Sequence, residues 1–202
     1  LTNLNLIHKE FLDRNAIYQC ELIEACIKAD IKKLVFISAT NNLKPNKSGF
    51  IDKESGFQTK LKSPYLISKM VAELLSKTYI NENIFIQFIR ISSLYGSNSK
   101  YGLVNKFIYN LKNGKEILID GDGSWSSDLV YVEDVTDIIF KLIDNYKINE
   151  INIGTGQMTS ILNLAHIICD QLNCSTKLIK FNKQKNEKNN QNIFYPVEKK
   201  DC

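Results

Sequence analysis

Two short and almost uninterrupted apolar runs, Leu34-Val35-Phe36-Ile37 and Ile84-Phe85-Ile86-Gln87-Phe88-Ile89, constrain the fold more than any other feature of this chain. A strand that alternates apolar and polar residues keeps one wet face, whereas a continuous run is buried on both. Each run follows a segment of helical period. In residues 15–30, Ala16, Cys20, Ile23 and Ile27 share one side. The second segment opens at Ser63-Pro64, a hydroxyl cap followed by a residue whose ring presets the first turn, and is expected to reach about residue 80. Helix, buried strand, loop, helix, buried strand is the order that builds a parallel sheet covered by helices. The spacing therefore predicts an α/β fold, part of a doubly wound parallel sheet.

The rhythm changes after Tyr95-Gly96. A short helix over 103–113 ends at Gly114, and strands are expected at 116–120 and 129–132 around the turn Gly121-Asp122-Gly123-Ser124. Asp134 is expected to cap a helix reaching about residue 146. A strand at 151–153, the turn Gly154-Thr155-Gly156, a helix capped by Ser160 and a strand at 178–181 follow. This divides the chain into residues 1–96, the later half of the sheet domain, and 97–202, a smaller mixed α/β lobe. Residues 182–192, rich in Asn, Lys and Gln, are expected to be disordered. The polar stretch 41–62 is long for a connector, which favours a functional loop.

Composition removes several function classes. Of 26 Lys and Arg only Arg14 and Arg90 are arginine, and the net charge is +4, so a dedicated nucleic-acid surface is not expected. No window approaches 18 apolar residues, and residues 1–10 lack a basic start followed by an apolar core, so neither a membrane span nor a signal peptide is expected. The chain does not begin with Met, which suggests truncation. Five cysteines without a CxxC, at 20, 26, 169, 174 and 202, read as buried small hydrophobes in a reducing cytoplasm. With His8 and His166 as the only histidines, no metal site is expected.

The sharpest chemical feature is Tyr65-Leu66-Ile67-Ser68-Lys69. Residues four apart on a helix share a face, so an ammonium beside the phenol would favour the phenolate and lower the Tyr65 pKa. Such a phenol can move a proton to or from a sugar hydroxyl. A surface Tyr-Lys pair is the plain alternative, and the surroundings decide against it. Lys32 to Ser38, SPYLISKMVAE from Ser63, RISSLYG from Arg90, IDGDGSWSSDLVYVEDV from Ile119 and NIGTG from Asn152 occur in order. Together they resemble the extended short-chain dehydrogenase/reductase family, the NAD-dependent epimerases and dehydratases of nucleotide sugars, over roughly residues 15–181.

The resemblance implies a Rossmann-like cofactor domain and a homodimer. It implies Tyr65 as general acid/base, and Lys69 as the group that lowers its pKa and bonds the nicotinamide ribose. Ser38, Ile91 and Ser92 would border the cofactor, NAD with NADP left open. Ala39, Ser93 and Ser127 would face the nucleotide-sugar. Four departures stand out, the largest of them upstream. Ala39 occupies the place of the catalytic Ser or Thr, so Thr40 would have to supply the hydroxyl, although on an unbroken strand it points the other way. Ser93 replaces an Asn, and Ser127 replaces an Arg that reaches the pyrophosphate. A strand with a GxxGxxG loop and helix does not precede residue 15, so the chain reads as the later portion of such an enzyme. The turns at 121–123 and 154–156 lack the third Gly and the strand-to-helix setting of a phosphate loop. Trp125, beside the Gly-Asp-Gly turn, would pack the hairpin or stack on a nucleobase, and packing is the favoured reading. The function implied is C4 epimerisation of a UDP-hexose. Thr40-Asn41 stand where dehydratases place Asp-Glu, which makes dehydration or reduction the alternatives. An inactive fragment or binding protein of the same fold is the other.

Overall fold

The computed structural model describes residues 8–61, 63–80, 83–97, 99, 102–182 and 195–198. The first elements are α1 (His8–Leu12), a wide π turn (Asp13–Ile17) and α2 (Tyr18–Lys28), which run on from one another. The helix expected from residue 15 thus starts earlier. Asn15 does not open it: its amide donates back to Phe11 O (3.0 Å) and across to Ser68 Oγ (3.1 Å). Then follow β1 (Lys33–Ala39), a 3₁₀ turn (Thr40–Asn42), α3 (Pro64–Lys77), β2 (Phe85–Ile91) and β3 (Ser93–Tyr95). The remainder is α4 (Leu103–Lys112), β4 (Ile117–Asp120), β5 (Ser126–Tyr131), α5 (Val132–Leu142), β6 (Glu150–Ile153), β7 (Met158–Ser160), α6 (Ile161–Gln171) and β8 (Ile179–Asn182).

Ser63 and Ser160 cap as expected, accepting from Leu66 N (3.4 Å) and Asn163 N (3.1 Å). Asp134 does not cap α5. That helix starts at Val132 after an extended Tyr131, and Asp134 joins Glu133 in its first turn, where acidic side chains favour the exposed N–H ends. The strand expected at 129–132 begins at Ser126, which brings Ser127 and Asp128 onto β5. The polar stretch expected to be disordered falls on 183–192, outside the described residues.

The main sheet has the order β1-β2-β6 and is parallel throughout. Its middle strand is buried at every position but the first, as a continuous apolar run requires. On one face Phe36, Ile86 and Phe88 pack under Ala16, Ile23 and Ala72 of the helices. On the other, Ile89, Ile91 and Ile153 pack against Val135 and Leu142 of α5. The lone polar residue of the run, Gln87, is buried and donates to Ile148 O (2.7 Å). Residues on both sides of Gly96 therefore build this sheet. A second layer places β3 parallel and β7 antiparallel to β5, and a third core joins α4, β4, α6 and β8, with Trp125 packed against it.

Candidate active site

The site grows from the carboxyl end of β1. Ala39 is its last residue, in extended backbone, and lies in register with Ile91 at the end of β2. The strand breaks there, so the alternation that would send Thr40 the other way does not apply. Thr40 instead opens the 3₁₀ turn and is 1% exposed. Among the described residues neither the Thr40 hydroxyl nor the buried Ser38 hydroxyl has a hydrogen-bond partner. A bare buried hydroxyl costs about 1–3 kcal/mol, so two at one strand end mark a place built for something other than stability. The turn is tied to α3 by the buried Asn42 amide, which lies between Leu66 O (3.1 Å) and Met70 N (3.3 Å).

α3 carries Tyr65 in its first turn and Lys69 one turn on. The Tyr65 ring stands edge-on to Phe11, with centroids 6.3 Å apart, and Asn15 braces the same turn through Ser68 Oγ, which donates to Tyr65 O (2.8 Å). Lys69 Nζ lies 4.8 Å from the centroid of Phe36. Phe36 and Ser38 are two apart on β1 and share a face, so the ammonium sits over the face that carries the Ser38 hydroxyl. Burial pushes the Tyr65 phenol above its ordinary value. It pushes the Lys69 amine down, with Glu73 acting in the opposite direction. The phenol is thus not lowered in the structure as it stands: desolvation governs both groups.

The remaining expected residues form a row along β2, β3 and β5. Ser92 N donates to Ile153 O (2.9 Å), and Ser92 Oγ donates to Asp128 O (2.9 Å). Ser93 and Ser127 hydrogen-bond through their hydroxyls. The pairing of Ala39 with Ile91 places this row beside the β1 end. Arg90 is no anion clamp. It is buried and held by Glu73 (Nε to Oε1, 2.9 Å) and by Glu150.

Asp128 and Asn42 were not singled out by the sequence. Asp128 had a legible signal: it shares the inward phase of β5 with Val130, and a carboxylate at an inward position needs donors. Asn42 had none, because its partners are set by the break after β1.

The profile of the "NAD dependent epimerase/dehydratase family" matches residues 5–154. A protein of Methanocaldococcus jannaschii named "Putative UDP-glucose 4-epimerase" is 32% identical over 164 residues, 77% of this chain and 52% of that one. The chain thus spans about half the length of this curated relative. The dTDP-glucose 4,6-dehydratase of Streptomyces venezuelae, solved with NAD bound, superposes with a TM-score of 0.84 at 20% identity, covering 95% of this chain and 59% of that one. The UDP-N-acetylglucosamine 4-epimerase of Methanobrevibacter ruminantium gives 0.77 at 25% identity, covering 92% and 60%. A Rossmann-like parallel sheet, a Tyr and Lys one turn apart beside its strand ends, and a profile spanning most of the chain agree: the chain belongs to the NAD-dependent epimerase/dehydratase family of enzymes.

Proposed function

We propose that these residues form the reacting side of a nucleotide-sugar epimerase that inverts C4 of a UDP-hexose. The observation that carries this reading is the Tyr65–Lys69 turn of α3 lying over a strand end with two partnerless buried hydroxyls. Tyr65 Oη takes the proton of the C4 hydroxyl and later returns it. Lys69 keeps a positive charge beside the phenol and offers N–H donors to a ribose. Thr40 Oγ1 orients the sugar oxygen in place of the hydroxyl that Ala39 lacks. Ser93 faces the sugar, and the buried Ser127, bonded to its hydroxyl, holds it in place.

The cofactor fits the residues present on its nicotinamide side: Ser38 Oγ is a buried hydroxyl in want of a partner, and Lys69 is a cation with no carboxylate within ion-pair distance among the described residues. Tyr65, Lys69, Ser38, Ile91 and Ser92 would hold NAD there, and bound NAD supplies the acceptor that takes and returns the C4 hydrogen. The Thr40–Asn42 turn holds hydroxyl and amide groups only, so it offers no carboxylic acid to protonate a departing hydroxyl, which favours epimerisation over dehydration. A binding protein of the same fold is the second reading, favoured by Ala39. The protein acts as a homodimer in our reading.

The test supplies the whole protein, in the presence of NAD, with UDP-glucose deuterated at C4. Epimerisation gives UDP-galactose with the deuterium retained. A 4-keto-6-deoxy product would assign dehydration, and nucleotide-sugar binding without conversion would assign the binding protein.

A further inference from the structure

Asp128 is 1% exposed, and a buried carboxylate is tolerated only when its oxygens are fully supplied with donors. They are. Oδ1 accepts from Thr155 N (2.8 Å) and Thr155 Oγ1 (2.5 Å), and Oδ2 accepts from Gly156 N (3.0 Å) and Val197 N (3.1 Å). Gly154 is what lets these groups converge: a Cβ there would stand 2.6 Å from Asp128 Oδ2 and 2.6 Å from Val197 Cγ2. Val197 belongs to a strap, residues 195–198, that crosses to the long loop. Ile51 N donates to Pro196 O (2.8 Å), Glu198 N donates to Ile51 O (2.8 Å), and Leu43, Ile51 and Val197 close a small core. The loop is in turn clipped to the 3₁₀ turn, where Gln58 N donates to Asn42 O (2.8 Å).

We infer that Asp128 is a positioning residue: it latches the strap 195–198 to β5, and the strap holds the loop 43–57, which leads out of the Thr40 turn, against the lobe that bears Ser93 and Ser127. The chain of contacts is Asp128 to Val197, Val197 to Ile51, and Ile51 through the loop to Asn42. The latch rests on geometry. Its value for catalysis rests on the role proposed for Thr40.

Hydrogen exchange read by mass spectrometry tests the latch without needing turnover. Four proteins are compared: the full chain, Asp128→Asn, a chain ending at residue 194, and that shorter chain carrying Asp128→Asn. An amide in place of the carboxylate turns an N–H group toward N–H donors and loses their bonds. Exchange in residues 43–57 should rise by ~10-fold or more in Asp128→Asn and in the shorter chain, while 104–119 and 161–179 stay as they were. A synthetic peptide of residues 191–202 should restore protection to the shorter chain, but not when Asp128→Asn is also present. Should Asp128→Asn fail to fold, the shorter chain and its rescue by peptide decide the matter. Unchanged exchange over 43–57 in the shorter chain would overturn the inference. So would a rise spread evenly over the whole chain, or peptide rescue that ignores Asp128→Asn.

Discussion

Thr40 and Lys69 are each placed by one local circumstance. Thr40 is inside because β1 stops at Ala39, and its hydroxyl bonds nothing among the described residues. Thr40→Val should therefore leave the melting temperature unchanged or raise it, since no bond is lost and a bare polar group is removed. Turnover should fall by ~10²–10³-fold, the usual effect of losing one aimed donor. A silent Thr40→Val, with Ala39→Ser raising activity, would return the role to position 39. Lys69 is drawn down by burial and Tyr65 is pushed up by it. In the proposed reaction Tyr65 would work as a base once deprotonated, and the Lys69 ammonium one turn on would favour that form. Removing the cation by Lys69→Met should thus push the phenol higher still and move the rising limb of the pH profile of kcat/KM to higher pH. A limb that stays in place would separate Lys69 from the phenol.

At the scale of elements, the main sheet is fastened across its helices by a buried ion pair. Arg90 of β2 is 3% exposed, Glu73 of α3 is fully buried, and Glu150 of β6 and Lys77 complete the group. Breaking one side leaves a guanidinium out of water and short of a partner, so Glu73→Ala should cost about 3–5 kcal/mol in urea unfolding. A loss below about 1 kcal/mol would show that Glu150 alone satisfies Arg90. The elements themselves were largely legible in the sequence. The runs at 34–37 and 84–89 read as doubly buried strands; this holds for β2 but not for β1, which lies at the edge of the sheet order and leaves Ile37 41% exposed, while Ser63-Pro64 and Ser160 announce their helices through cap chemistry. What escaped reading depends on partners far along the chain. Asp128 is explained by Thr155 and Val197, and the shape of the loop after Asn42 by Pro196 and Val197. Asp134 was misread because the helix starts directly from the extended Tyr131 rather than at a side-chain cap. The placement of Tyr65 and Lys69 one turn apart on α3 was legible from spacing, whereas the burial that governs both groups was not.

For the molecule as a whole, two surfaces point outward with apolar residues. Tyr18 and Leu22 on α2, one turn apart, and Ile67 and Leu74 on α3, two turns apart, are well exposed on helices that lie in contact with each other. A second copy would cover this paired face, and analytical ultracentrifugation should show a dimer that Leu22→Glu with Leu74→Glu converts to monomer; a monomer at all concentrations would contradict the homodimer. No helix among the described residues is long and apolar enough to cross a membrane. The central claim, that this sheet end and this helix turn together perform proton transfer on a nucleotide-sugar, is met most directly by one comparison. UDP-glucose conversion by the whole protein is measured with Tyr65 and with Tyr65→Phe, both in the presence of NAD. Loss of the phenol alone should lower turnover by ~10²–10⁴-fold with nucleotide-sugar binding and circular dichroism unchanged. Full turnover by Tyr65→Phe would contradict the account.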